Sequence, residues 1–209
     1  MRSLLHIDMN ACYASIECLY DPSIRNLPVA VGGDVEARHG IILAKSQIAK
    51  RFGVKTGDWF YDAVAYVYSN GLMDGTSATT FEPNANMTRA MVWAILARID
   101  GETVTGANWI DTARAWAMAE GVSDGTDPNG LVTREQFATM LWRYAGEPAS
   151  SYSLAKFTDN ASVSDWASTA MSWAVEKGII TGVTESTLVP QGHATRAQCA
   201  AMLMRFAEL

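Results

Sequence analysis

The sequence lacks most of the features that would assign it to a metalloprotein, a membrane protein or a phosphate-loop enzyme. Its three cysteines, Cys12, Cys18 and Cys199, form no Cys-x-x-Cys pair and are odd in number. That excludes a thiolate metal site of ordinary spacing and a fully paired disulfide framework. All three fall on expected helices and read as buried free thiols. No apolar run approaches the ~20 residues that cross a bilayer, so no membrane span is expected. The start, Met1-Arg-Ser-Leu-Leu-His-Ile-Asp8, puts Asp8 where the apolar stretch of a secretory signal would continue. It is therefore no signal peptide, and the chain as written is expected to stay in the cytoplasm. Gly32-Gly33 lacks the following Lys-Ser/Thr of a phosphate-binding loop. Nowhere does an Asp-Glu dipeptide occur, and no Pro/Gly/Ser-rich linker divides the chain near residue 57.

Charge is unevenly distributed. Residues 1–57 carry seven Lys/Arg against five Asp/Glu, whereas residues 58–209 carry nine against seventeen. A mildly basic head on an acidic body points to two modules of different origin.

The body is repetitive. Trp59, Trp109 and Trp166 are each followed twelve residues later by a glycine, Gly71, Gly121 and Gly178. Each glycine opens a turn: Gly71-Leu-Met-Asp-Gly75, Gly121-Val-Ser-Asp-Gly125 and Gly178-Ile-Ile-Thr-Gly182. Each turn leads to a Thr-Arg pair, at Thr88-Arg89, Thr133-Arg134 and Thr195-Arg196, and nine residues on stands Arg98, Arg143 or Arg205. Ala63 and Tyr66, Ala113 and Trp116, and Ala170 and Trp173 follow the three tryptophans at helical spacing. Each repeat thus reads as helix, glycine cap, loop, threonine N-cap and second helix. One such unit cannot bury its apolar face alone, so three should pack together. The expected boundaries are 58–101, 102–149 and 150–209.

Two readings of the recurrent arginines are open. Arg98, Arg143 and Arg205, at the ends of the second helices, should complement the helix dipole or pair with a carboxylate. Arg89, Arg134 and Arg196 sit in a helical first turn, where amide groups and a guanidinium can form an anion site. They could equally pair with a loop acid such as Asp74 or Asp124.

The first 57 residues read as β-α-β-β-α: strands over Leu4–Ile7, Pro28–Val31 and Gly40–Ala44, and helices over 9–19 and, capped by Ser46, over 47–52. The segments His6-Ile-Asp-Met-Asn-Ala-Cys-Tyr-Ala-Ser-Ile-Glu17, Leu27-Pro-Val-Ala-Val-Gly-Gly33 and 40–57 resemble the start of a Y-family (DinB/UmuC-like) translesion DNA polymerase. The resemblance implies that Asp8 stands at the first Mg²⁺-binding carboxylate and Tyr13 at the steric gate. Lys50 and Arg51 would lie in the finger segment that approaches the nucleotide, with Gln47 at the family's usual Tyr. Two-metal phosphoryl transfer needs several carboxylates around ions ~4 Å apart. The family supplies an Asp-Glu pair that is missing here, so Asp8, Tyr13, Lys50 and Arg51 read as vestigial and no catalysis is expected. Mg²⁺ would matter only if this fragment retained activity.

The repeats resemble three S-layer homology units, through Trp-x-Tyr-Asp-Ala, Gly-x-x-Asp-Gly, Phe81-x-Pro83 and the Thr-Arg motif. That implies a mainly α fold with a pseudo-threefold arrangement, beside a small α/β head. It also implies binding of an anionic, pyruvylated secondary cell-wall polysaccharide, with Arg89, Arg134 and Arg196 holding the carboxylate. Trp59, Trp109 and Trp166, with Gly75, Gly125 and Gly182, would shape the grooves, and residence would be the cell wall or S-layer. Repeat 3 departs at Thr181, where the other turns have Asp, and keeps a lead-in, Phe157-Thr-Asp159, that repeat 1 lacks. The alternatives are a DNA-repair fragment that binds nucleotide or DNA, and a fusion without function; nucleic acid is not the expected partner.

Overall fold

A computed structural model describes residues 58–209 and, as backbone, two strands, Ala30–Gly32 (β1) and Ile42–Lys45 (β2). The strands pair antiparallel, Ala30 opposite Lys45 and Val31 opposite Ala44, with an irregularity before Gly32. Each starts two residues later and ends one residue later than the expected span. The expected strand over Leu4–Ile7, both helices of the head, and Asp8, Tyr13, Lys50 and Arg51 lie outside the described residues.

The chain divides into two compact units, residues 1–70 with 74–81, and residues 71–73 with 82–209. In the first, Tyr61–Ser69 forms α1 and buries Ala63, Val64 and Val67, one face of a helix. In the second, α2 (Arg89–Ile99), α3 (Trp109–Ala119), α4 (Arg134–Tyr144), α5 (Ser168–Glu176) and α6 (Arg196–Ala207) follow, with short 3-10 turns at Asn160–Ser162 and Asp165–Ala167. The described part is mainly α, as the periodicity predicts.

The helix ends are set by local chemistry. Thr88, Thr133 and Thr195 are extended N-cap residues whose side chains accept the amides of Met91, Gln136 and Gln198. Gln136 and Gln198 return the bond to the cap amide, completing capping boxes in repeats 2 and 3. At the other end of the first helices, Gly71, Gly121 and Gly178 take φ of 66°, 67° and 72°, the left-handed conformation that terminates a helix.

Packing is not repeat by repeat. The second helix of one repeat lies chiefly on the first helix of the next: α2 on α3, and α4 on α5. Leu96, Leu141 and Leu203, equivalent by position, are all buried, as are Val92, Phe137 and Cys199. Cys199 is free, and burial pushes its thiol well above its ordinary range, which makes it a small apolar filler.

The repeats are joined by their backbones. The residue before each N-cap threonine is buried, and its amide is bonded to another repeat. Met87 N donates to Ala194 O at 3.0 Å, Ala194 N to Val132 O at 2.9 Å, and Val132 N to Met87 O at 2.9 Å. This is a closed three-membered ring of hydrogen bonds, the cyclic permutation that a threefold arrangement requires.

Arg98, Arg143 and Arg205 are equivalent in role as well as position. Each donates an Nη1 bond to the carbonyl just after the glycine cap of its own repeat, Leu72 O at 3.0 Å, Val122 O at 3.3 Å and Ile179 O at 3.2 Å. Each of these carbonyls belongs to the first helix's exit turn, and Arg98 also donates from Nη2 to Val104 O at 3.1 Å. The guanidinium thus satisfies an acceptor that a left-handed glycine turn leaves open.

Thr133→Ala should remove the α4 cap and cost about 1 kcal/mol, read as a fall of about 2–4 °C in Tm. Thr79→Ala, in an exposed loop, should leave Tm within 1 °C of the parent, about the effect of a neutral surface change.

Candidate functional site

The Thr-Arg arginines occupy the first helical position of α2, α4 and α6. An anion site there would need open first-turn amides, and the structure fills them. Arg89 N and Ala90 N donate to Gly130 O and Pro128 O, Arg134 N and Glu135 N to Gly192 O and Pro190 O, and Arg196 N and Ala197 N to Ala85 O and Pro83 O, all at 2.8–2.9 Å. The third amide of each helix goes to the threonine cap. The amide half of the expected anion cradle is therefore taken by the loop of a neighbouring repeat, and any anion must be met by side chains.

The prolines that supply these carbonyls recur five residues before each threonine, at Pro83, Pro128 and Pro190. That spacing is visible in the sequence and marks the device. The residue before each proline is left-handed: Glu82 at φ 52°, Asp127 at 46° and Val189 at 51°. Such a conformation costs of order 1–3 kcal/mol and persists only where neighbours hold it. For Val189, a β-branched residue, the holder is Asp159 of the Phe-Thr-Asp lead-in. Its carboxylate accepts from Leu188 N at 2.9 Å and Val189 N at 2.7 Å. Partial burial pushes the Asp159 carboxyl up, but the amides of Leu188 and Val189 pull it down further, to a net position below the usual carboxylate range.

The three arginines then differ. Arg89 Nε donates to Thr126 O at 2.9 Å, and Nη2 donates to Ser123 Oγ at 3.1 Å and Asp124 Oδ1 at 2.8 Å, while the guanidinium stacks 5.6 Å from the Trp93 ring. Of the two readings open from the sequence, the loop-acid pair holds here. Arg134 is only 5% exposed. Its Nε donates to Leu188 O at 2.8 Å, and among the described residues no carboxylate forms an ion pair with it. Thr181 stands in repeat 3 at the position that Asp124, the partner of Arg89, holds in repeat 2. Burial pulls the Arg134 guanidinium below its ordinary value, though it remains charged at any physiological pH. Arg196 is buried at the start of α6.

The tryptophans also diverge. Trp59 precedes α1 and is 65% exposed; Trp109 opens α3, half-buried; Trp166 lies in the 3-10 turn before α5 and is 57% exposed. Gly125 and Gly182 are structural: their φ of 70° and 102° are left-handed, and a Cβ on Gly182 would strike the Thr184 carbonyl. Gly75 is half-buried in its turn.

A cleft of about 270 Å³ brings together Arg89 of the first repeat, Asp124, Gln136, Thr139 and Arg143 of the second, and Trp166 of the third. Two expected site residues, Arg89 and Trp166, meet there; Arg134, Arg196, Trp59 and Trp109 do not line it. Glu135 was invisible as a contributor. It is 3% exposed, and its carboxylate accepts from Ser164 N at 3.0 Å and Ser164 Oγ at 2.8 Å. That contact fixes the turn that carries Trp166. The only sequence signal for it is an acid where Ala90 and Ala197 stand in the other repeats. Among the described residues, no group of three His, Cys, Asp or Glu side chains forms a metal site, and no helix is long and apolar enough to cross a membrane.

Asp124 is held below the usual carboxylate range, first by the Thr126 amide, then by the Thr126 hydroxyl, against a small burial effect, with Arg89 adding to the lowering. A depressed carboxyl contributes stability that is present above its unfolded pKa of about 3.9 and is lost as pH falls through the folded value. In a Tm-against-pH series, Asp124→Asn should therefore lose less on acidification below pH 4 than the parent. A steeper acid loss in the variant would contradict this placement.

Two family models match. The impB/mucB/samB family model covers residues 7–124, and the S-layer homology domain model covers residues 156–200. An amylopullulanase of Thermoanaerobacterium thermosulfurigenes is 30% identical over 201 residues, 83% of this chain and 11% of that protein. Exoglucanase XynX of Acetivibrio thermocellus is 30% identical over 165 residues, 70% of this chain and 15% of that protein. DNA polymerase IV of Acetivibrio thermocellus is 55% identical over 62 residues, 30% of this chain and 16% of that protein. The chain thus spans 11% to 16% of the length of these relatives. The polymerase identity is high over a stretch about as long as the head. The two longer matches cannot be confined to it. Over 58–124 the impB/mucB/samB match overlaps residues whose glycine caps and Thr-Arg helix start repeat those found within 156–200.

Proposed function

This chain belongs to the impB/mucB/samB family over residues 7–124 and carries an S-layer homology domain over residues 156–200, and from that premise we propose that its working part is the repeat region, a non-covalent anchor to a bacterial cell-wall polysaccharide. The S-layer homology domain points to the cell wall or S-layer in general. The finer reading is a carboxylate-bearing, pyruvylated secondary polymer, bound in the grooves that the three Thr-Arg arginines and the tryptophans border. The observation that carries it is the cleft that joins Arg89, Arg143 and the exposed Trp166 across three repeats. A sugar ring can stack on the indole face while a guanidinium meets its carboxylate.

On this reading the head is a partial polymerase segment and contributes no chemistry. The polymerase match spans 62 residues, 16% of that protein, and the chain has no Asp-Glu dipeptide to complete a two-metal site with Asp8. A primer-extension assay with Mg²⁺ should give no nucleotide incorporation; Asp8-dependent extension would overturn this part.

The anchoring is tested by co-sedimentation with purified sacculi that carry their secondary polymer. The parent should pellet with them and not with sacculi stripped of the polymer. Trp166→Ala, which removes an exposed ring and little packing, should weaken binding at least tenfold, about 1.4 kcal/mol. Equal sedimentation of parent and variant would rule out the cleft.

A further inference from the structure

In the cleft described above, the residue expected to meet the ligand's carboxylate is already engaged. Arg89 uses Nε and Nη2 on Thr126 O, Ser123 Oγ and Asp124 Oδ1, all from one loop. It is only 15% exposed, and the adjacent Asp124, 65% exposed, neutralises it and repels a second carboxylate. Arg143 is different. It lines the same cleft, is exposed, and makes a single 3.3 Å bond from Nη1 to Val122 O. Among the described residues no carboxylate forms an ion pair with it. Its counterpart Arg98 is half-buried and donates to two carbonyls, Leu72 O and Val104 O. Arg143 therefore retains Nε and Nη2, a planar fork suited to a carboxylate.

We propose that Arg143, with Trp166, is the contact for the ligand's carboxylate in this cleft, and that Asp124 is a built-in competing anion that withholds Arg89. The assignment rests on the cell-wall reading and deepens it, by moving the anion contact off the Thr-Arg motif and onto the end of α4. The ligand class is a saccharide bearing a carboxylate at its rim, with Trp166 against the ring face and Gln136 and Thr139 within the same cleft.

The test is co-sedimentation with sacculi, native or treated with mild acid to hydrolyse ketal-linked carboxylates, for the parent, Arg143→Gln, Arg143→Lys, Arg89→Gln and Asp124→Asn. Arg143→Gln should weaken binding at least tenfold, while Arg143→Lys, which keeps the charge, should fall by less than half that factor. Arg89→Gln, which leaves Asp124 unpaired beside the cleft, should weaken binding by less than Arg143→Gln does. Asp124→Asn should bind severalfold tighter, because it frees Arg89 and removes the competing charge; this arm does not depend on Arg143→Gln folding. Acid treatment should bring the parent to the level of Arg143→Gln and leave that variant unchanged. A tenfold loss in Arg89→Gln with Arg143→Gln unaffected, or no gain in Asp124→Asn, overturns the assignment while leaving the anchoring function standing. A parent that fails to pellet with native sacculi overturns the function and this assignment with it.

Discussion

Three amide groups, those of Met87, Val132 and Ala194, are bonded to one another's carbonyls in a ring, and the other features of the repeat region are arranged around it. All three residues are fully buried. A buried amide without a partner costs about 1–3 kcal/mol, so no repeat can hold this segment in its native place alone. The same dependence is repeated two residues further on. Each second helix receives its first two amide bonds from a proline-containing loop of another repeat. In an isolated helix those groups would be open to water or to an anion. Here the fold has used them, and recognition must rest on side chains.

This shifts attention from what the three repeats share to where they differ. Shared are the threonine caps, the left-handed glycines and the arginine that meets the exit-turn carbonyl. The differences lie in the loop facing each Thr-Arg arginine. Arg89 meets Asp124, and Arg134 meets the Leu188 carbonyl of a repeat in which Thr181 stands at the acid's position. Glu135 and Asp159 add further asymmetry, one holding the turn of Trp166 and the other holding a left-handed valine. Neither has an equivalent in all three repeats, so the grooves cannot be equal in charge or rigidity.

The parts legible in the sequence were those fixed within one turn of chain. Thr88, Thr133 and Thr195 as caps, Gly71, Gly121 and Gly178 as stops, and Ala113 and Ala170 as buried helix positions follow from local sterics and hydrogen bonding. The spacing of Arg98, Arg143 and Arg205 was equally plain, yet their partners were not. A carbonyl exposed by a left-handed turn leaves no mark in composition, whereas an acid does. The choice between an anion and Asp124 for Arg89 turned on which loop lies beside α2, and that is set by cyclic pairing of distant segments. The recurrent Pro83, Pro128 and Pro190 were the available clue. Asp8, Tyr13, Lys50 and Arg51 lie outside the described residues, so for the head the sequence resemblance and the family match stand alone.

The closed ring of amides also fixes a number. In an open-ended stack of repeats, the last unit leaves an unsatisfied face, and another copy can join it. In this chain each of the three amides has its acceptor and each acceptor its amide, so a fourth copy would find no vacancy. Stoichiometry is thus written into the backbone: such repeats are counted in threes, and a longer array would have to begin a second ring rather than extend the first.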